Sequence, residues 1–126
     1  MSKLFKPTES ELEILSILWE KEHATVREVH EVIFQTKEVG YTTTLKLMQI
    51  MHEKGLVSRN ESAKTHIYTP NFAREEAQEQ YVGKMIKTLF SGSTSQLVLE
   101  ALGNHQPSNA DLIAIKDLIE KLENRK

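Results

Sequence analysis

Thr8 with Glu11, and Thr25 with Glu28, repeat one short pattern that dictates where two helices begin. In each pair the threonine hydroxyl can accept from the backbone N–H three residues on. The glutamate can reach back to the threonine N–H, so two donors that a helix start leaves open are satisfied. Pro7, just before the first cap, cannot extend that helix backwards. Leu12, Leu15, Ile17, Leu18 and Trp19 then recur with helical spacing and predict a helix to about Glu22. His23 and Ala24 read as a short connection, and Val26, Val29, Val32, Ile33 and Phe34 as the buried stripe of a second helix. A turn follows at Glu38-Val39-Gly40.

The third helix is expected to start around Thr42 or Thr43, to carry Leu47, Met48 and Met51 inward, and to end at Lys54-Gly55. Glycine there makes the positive φ of a helix stop cheap. Leu56-Val57-Ser58-Arg59 reads as a short strand, residues 60–64 as a polar turn, and Thr65-His66-Ile67-Tyr68-Thr69 as the returning strand, which Pro70 ends. Short helices followed by one hairpin is the order of a winged helix, with the hairpin as the wing. The expected fold class is therefore mostly α with a small β-hairpin: an N-terminal winged helix-turn-helix over 1–70 and a C-terminal α-helical dimerisation region over 71–126.

In that second region Asn71 is expected to cap a long helix carrying Phe72, Ala73, Ala77, Tyr81, Met85, Leu89 and Phe90, spaced mostly by four. Ser91-Gly92-Ser93 breaks it. Residues 96–102, with Leu97 and Leu99, form a compact apolar helix, and residues 103–107 a loop. Ser108 with Asp111 caps a last helix, which gathers Leu112, Ile115, Leu118, Ile119 and Leu122 on one side. A region this small is undersized for an independent core. Burial of its stripes against a second copy is one solution; packing back onto the N-terminal module is the other.

Several function classes drop out. The chain has no cysteine, which removes disulfide scaffolds, thiolate metal sites and cysteine nucleophiles. His30-Glu31 begins like a zinc-protease helix, but Phe34 stands where the second ligand belongs; His52-Glu53 fails in the same way at Leu56. No glycine-rich phosphate loop or nucleophile elbow appears. An enzyme, a metal site and a cofactor are not expected. The stretch Met1-Ser2-Lys3-Leu4-Phe5-Lys6-Pro7 lacks the apolar run of a signal peptide, and no segment approaches bilayer length, so a cytoplasmic protein is expected.

The net charge of −2 is a poor first omen for nucleic acid, but its distribution is uneven. Residues 8–38 carry three Lys/Arg against eight Glu, whereas residues 39–69 carry four against two. Local charge sets the field at a docking surface. On a helical wheel Thr42, Lys46, Gln49 and Glu53 share one face of the third helix, with Thr43, Leu45 and Ile50 at its edges. Small hydroxyls, an amide and a lysine suit base edges in a major groove, so Thr42, Thr43, Lys46 and Gln49 are the candidate base readers. Arg59, Lys64 and His66 on the hairpin, Lys54 at the helix end, and the helix starts near Ser10 and Thr25 are candidates for phosphate contacts.

The strings Pro7-Thr8-x-x-Glu11-x-x-Ile14-Leu15-x-x-Leu18-Trp19, Tyr41-Thr42-Thr43-Thr44, Glu53-Lys54-Gly55-Leu56-Val57 and Ser95-Gln96-Leu97-Val98-Leu99 resemble the penicillinase-repressor family, the BlaI/MecI/CopY transcriptional regulators. The resemblance covers nearly the whole chain. It implies a homodimer that binds a palindromic double-stranded DNA operator and blocks transcription, with Thr42, Thr43 and Lys46 at reading positions. It also implies relief through a membrane sensor metallopeptidase that triggers cleavage of an Asn-Phe bond. Here the corresponding pair is Glu100-Ala101, which puts cleavage at that bond in doubt. Leu45 and Ile50 stand where resistance regulators carry arginines, which implies a different operator. The copper-responsive branch needs a C-terminal cysteine cluster that is absent here. A reading from another class stays open at this point: a winged-helix protein–protein interaction module without sequence-specific DNA binding, docking through Leu45, Ile50 and the acidic first helices.

Overall fold

The computed structural model describes residues 6–125. Residues 1–5, most of the stretch read above for a signal peptide, lie outside the described residues, as does residue 126. The elements run α1 (Glu9–Lys21), α2 (Val26–Phe34), α3 (Tyr41–Glu53), β1 (Val57–Asn60), β2 (Ile67–Pro70), α4 (Arg74–Thr88), α5 (Thr94–Asn104) and α6 (Asn109–Glu123). The fold is mostly helical with one small antiparallel hairpin, β1 against β2, as the sequence pattern predicts. Contacts divide the chain into two units, Met1–Tyr81 and Val82–Lys126.

Both N-terminal capping boxes form. Thr8 N–H donates to Glu11 Oε1 at 2.8 Å and Thr25 N–H to Glu28 Oε1 at 2.8 Å, with the reciprocal bonds to each threonine hydroxyl at 3.2 Å. The α3 start differs. Gly40 caps it in extended geometry with no side-chain bond, and its carbonyl accepts from Thr43 and Thr44, so the helix opens at Tyr41. Gly55 closes α3 at φ 80°.

Ile14, Leu15 and Leu18 from α1, Val29 from α2, and Met48 and Met51 from α3 meet Leu56, Val57 and Tyr68 of the hairpin in one core. Each such side chain contributes about 1.5–3 kcal/mol on burial. The hairpin is held to the helices by more than packing. Ala24, between α1 and α2, exchanges two backbone hydrogen bonds with Tyr68, at 3.0 and 2.8 Å.

Three expectations are corrected. Phe34 is 57% exposed rather than part of the α2 stripe. Ile33 takes the inward position, and the Phe34 ring lies 5.6 Å from that of His30 one turn back. Thr44 is buried, where only apolar residues were expected to turn inward; its hydroxyl is satisfied by His30 Nδ1 at 3.1 Å. Asn71 does not cap α4, which starts at Arg74. Its amide donates to the Gly55 carbonyl at 3.0 Å and its oxygen accepts from Ser58 Oγ, tying the exit of the hairpin to the end of α3.

The first unit runs on past Pro70 because residues of α4 and its approach pack within it. Trp19 Nε1–H donates to the Phe72 carbonyl at 2.7 Å, Ala77 is buried, and the Tyr81 hydroxyl donates to the Pro7 carbonyl at 2.9 Å. Burial raises the Tyr81 phenol above its ordinary value. In the second unit Ser93 caps α5, and Ser108 with Asp111 forms a third capping box on α6. None of residues 82–125 is buried.

Glu11 is the one acidic side chain among the described residues that is buried, at 2% exposure. Besides its capping bond it accepts from Lys54 Nζ at 2.6 Å, which links the start of α1 to the end of α3. Removing the cation leaves a buried carboxylate short of a partner. Because Lys54 is partly solvated, Lys54→Met should lower unfolding stability by about 1–3 kcal/mol. The double variant Glu11→Gln with Lys54→Met should recover part of that loss. Urea titrations of the single and double variants check this; an unchanged midpoint for Lys54→Met contradicts it.

Candidate nucleic-acid interface

With Thr44, Met48 and Met51 turned into the core, α3 is left with a polar outer face. Thr42, Thr43, Lys46 and Gln49, the sequence-predicted readers, are all exposed, and so is Glu53. Thr43 sits at the edge of that face. Together with Ser10, Thr44 and Leu47 it lines a small crevice of about 40 Å³ between α1 and α3.

Beside the outer face of α3 lies a hollow of about 490 Å³. It is lined by Tyr41, Leu45 and Gln49 of α3, by Thr25 to Arg27 at the start of α2, and by Arg59, Lys64, His66 and Tyr68 of the hairpin. Thr25, Gln49, Arg59, Lys64 and His66 are thus brought together, while Ser10 and Lys54 are not. Lys54 is held by Glu11, and its ammonium also donates to the Lys6 carbonyl at 3.4 Å. Leu45, which the sequence left between groove contact and packing, is half-buried and packed against the core.

The electrostatics of the hollow are set by which cations already have carboxylate partners. Arg59 donates from Nε to Glu61 at 2.7 Å, with its terminal nitrogen at 2.6 Å. Hydrogen bonding to Tyr68 and then to Glu61 raises the Arg59 guanidinium above its ordinary value, and Arg59 in turn lowers the Glu61 carboxyl. The tip itself is shaped by Asn60, whose side-chain oxygen accepts from the Ser62 N–H at 3.0 Å and from its hydroxyl at 2.7 Å. Lys64 has no carboxylate within ion-pair distance among the described residues. At the start of α2 the Thr25 N–H is taken by Glu28, and that bond holds the Glu28 carboxyl below the usual range. This backbone amide is therefore occupied within the chain.

Arg27 is the residue that sequence reasoning missed. It lies in the acidic stretch of the chain, where no pattern singles it out, yet it lines the hollow with its guanidinium 5.4 Å from the centre of the Tyr41 ring. No group of three or more metal-ligating side chains is assembled among the described residues, and no helix there is long and apolar enough to cross a membrane.

The second unit presents apolar side chains to solvent. Leu89 is 72% and Leu99 63% exposed, and Leu112, Leu118, Ile119 and Leu122 are exposed as well. Met85, Leu97 and Ile115 are half-buried. Phe72 and Tyr81, grouped with them from the sequence, belong to the first unit. Glu100-Ala101 lies inside α5.

Comparison with known proteins follows the same outline. The family model described as penicillinase repressor matches residues 7–121. The chain is 22% identical to the penicillinase repressor of Bacillus licheniformis over 100% of its own length and 98% of that protein. It is 32% identical over 77 residues to the transcriptional regulator BlaI of Mycobacterium tuberculosis, covering 60% of this chain and 56% of that one. Among solved structures, the DNA binding domain of the repressor BlaI superposes with a TM-score of 0.53 at 21% identity, over 60% of this chain and 93% of that domain. That likeness supports the winged-helix fold of the first unit. With the family pattern running through both units, the chain belongs to the penicillinase repressor family.

Proposed function

We propose that this protein is a transcriptional repressor that binds a palindromic DNA operator as a homodimer. The observation that carries the proposal is the exposed polar face of α3 set beside a hollow lined by Arg27, Arg59, Lys64 and His66. In this reading Thr42, Lys46 and Gln49, with Thr43 at the edge, meet base edges in the major groove. Arg59, Lys64 and His66 hold the backbone phosphates beside it and set the register. Repression follows from occupying the promoter and involves no bond chemistry. The names of the relatives, penicillinase repressor and transcriptional regulator, support that outcome.

Dimerisation is supported by the second unit. A stretch in which no residue from 82 to 125 is buried, yet which exposes Leu89 just past α4, Leu99 on α5 and a row of leucines and isoleucines on α6, gains by covering them with a second copy. Two α3 helices would then enter major grooves about ten base pairs, or a multiple, apart. Relief of repression, through the membrane sensor metallopeptidase that the family resemblance implies, would act by separating the copies. The Glu100-Ala101 bond is helical, so a protease that takes an extended segment requires α5 to unwind first. The interaction-module reading is weakened by the packing of Leu45 against the core, which leaves α3 a mainly polar outer face.

Fluorescence anisotropy with the protein's own promoter DNA and a mixed-sequence duplex separates the roles. Lys64→Ala should weaken binding to both and reduce the log–log salt slope by about 0.9. Gln49→Ala should weaken the promoter selectively, by about 1–3 kcal/mol of discrimination. Wild-type behaviour of both variants on both duplexes would sink this placement of the interface.

Glu61 competes with phosphate for Arg59. Glu61→Gln should therefore strengthen binding to both duplexes and steepen the salt dependence, and a weaker or unchanged affinity counts against a phosphate role for Arg59.

Sedimentation at micromolar concentration should give a dimer for the full chain. Leu118→Asp should give a monomer with strongly reduced promoter affinity, whereas a compact wild-type monomer contradicts the dimer.

A further inference from the structure

Arg27 is the cation of the hollow that lies on neither the reading helix nor the wing. It is exposed, and among the described residues no carboxylate pairs with it. The other described arginines that form ion pairs, Arg59 and Arg74, are engaged by Glu61 and Glu20. Of the two acidic residues of α2, Glu28 is directed to the Thr25 cap, and Glu31, four residues after Arg27, forms no ion pair with it.

What holds Arg27 is an aromatic face. Its guanidinium lies 5.4 Å from the centre of the Tyr41 ring. That ring is braced in turn: the His30 ring meets it edge-on, at 5.6 Å and 78°. His30 is anchored to the buried hydroxyl of Thr44. A guanidinium over a ring keeps its N–H groups free at the rim, in the flat fork that matches two phosphate oxygens. Less rotational freedom is then left to lose when an anion binds.

We propose that Arg27 is a phosphate clamp for the DNA backbone on the α2 side of the hollow, and that Tyr41 is the positioning residue that presents it. This rests on the DNA-binding reading above. Arg27 and Lys64 then hold the backbone from two different elements of one hollow, which Gln49 also lines. The clamp is blind to sequence, since phosphate contacts carry no base information. It helps explain how a chain of net charge −2 can hold a polyanion.

The test uses the full chain with the promoter fragment and the mixed-sequence duplex, titrated by anisotropy across a salt series. Arg27→Ala should weaken both complexes about five- to tenfold at moderate salt and lower the log–log slope by about 0.9. Arg27→Lys should keep the slope while losing part of the affinity. Tyr41→Phe, which keeps the ring, should bind like wild type. Tyr41→Leu should cost roughly two- to fivefold, and should cost nothing further in the Arg27→Ala background. If Arg27→Ala changes neither affinity nor slope while Lys64→Ala lowers both, the clamp is wrong and the DNA-binding reading stands. If neither variant moves either quantity, the DNA-binding reading fails and takes the clamp with it. If Tyr41→Leu costs as much with Arg27→Ala as without it, Tyr41 does not act through Arg27. Thermal melts by circular dichroism accompany each variant, and Arg27→Ala is expected to melt like wild type because its side chain is exposed.

Discussion

Two backbone hydrogen bonds between Ala24 and Tyr68 hold the hairpin against the connection between α1 and α2. A two-stranded hairpin alone is marginal in water, and this one pairs over only four residues a side. The Ala24 bridge gives it a third pairing partner, and the buried Tyr68 ring locks it to the core. The same bridge sets the start of α2 beside the hairpin, so Arg27 and Lys64 line one hollow. Together with the core contacts of Val57 and Tyr68 it fixes the wing, and the cations beside α3 converge.

The distribution of charge follows from this arrangement rather than from composition. Among the described residues, four cations of the first unit are paired with glutamates: Lys37 with Glu13, Lys54 with Glu11, Arg59 with Glu61 and Arg74 with Glu20. Three of these four pairs join residues from different elements or loops far apart in sequence, while Arg59 and Glu61 are two residues apart on the hairpin. An arginine paired locally at a solvated turn can exchange its carboxylate for a phosphate at little cost. Lys54 cannot, because releasing Glu11 would strand a buried charge. Two cations with similar prospects on paper are thus sorted by the burial of their partners.

The two units differ in how they satisfy their apolar residues. The first closes a core from α1, α2, α3 and the hairpin, and it draws in Phe72, Ala77 and Tyr81 to finish it. The second has well-capped helices and no buried residue among 82–125. Its helices are locally specified, but its hydrophobic faces have nothing within the unit to exclude water. That asymmetry is what supports the proposal of DNA reading in one unit and self-association in the other.

Much of what depends on hydrogen bonds three or four residues apart was legible in the sequence, although the cap of α4 and the first residue of α3 were not. The capping boxes at Thr8, Thr25 and Ser108 formed as read, and so did the glycine stop at Gly55 and the hairpin after it. Helical spacing also sufficed to leave Thr42, Lys46 and Gln49 on the open face of α3. Tertiary structure decided the rest. His30 and Thr44 are fourteen residues apart and Lys54 and Glu11 forty-three, and no local rule says that they meet. For that reason Thr44 went inside, Lys54 was engaged away from the hollow, and Phe34 was left outside although it looked like core. Arg27 is the clearest case: its sequence surroundings are acidic, and its place over Tyr41 exists only because α2 and α3 pack together. Local hydrogen bonding and periodicity are written along the chain; which charge keeps its partner depends on elements that meet only when it folds.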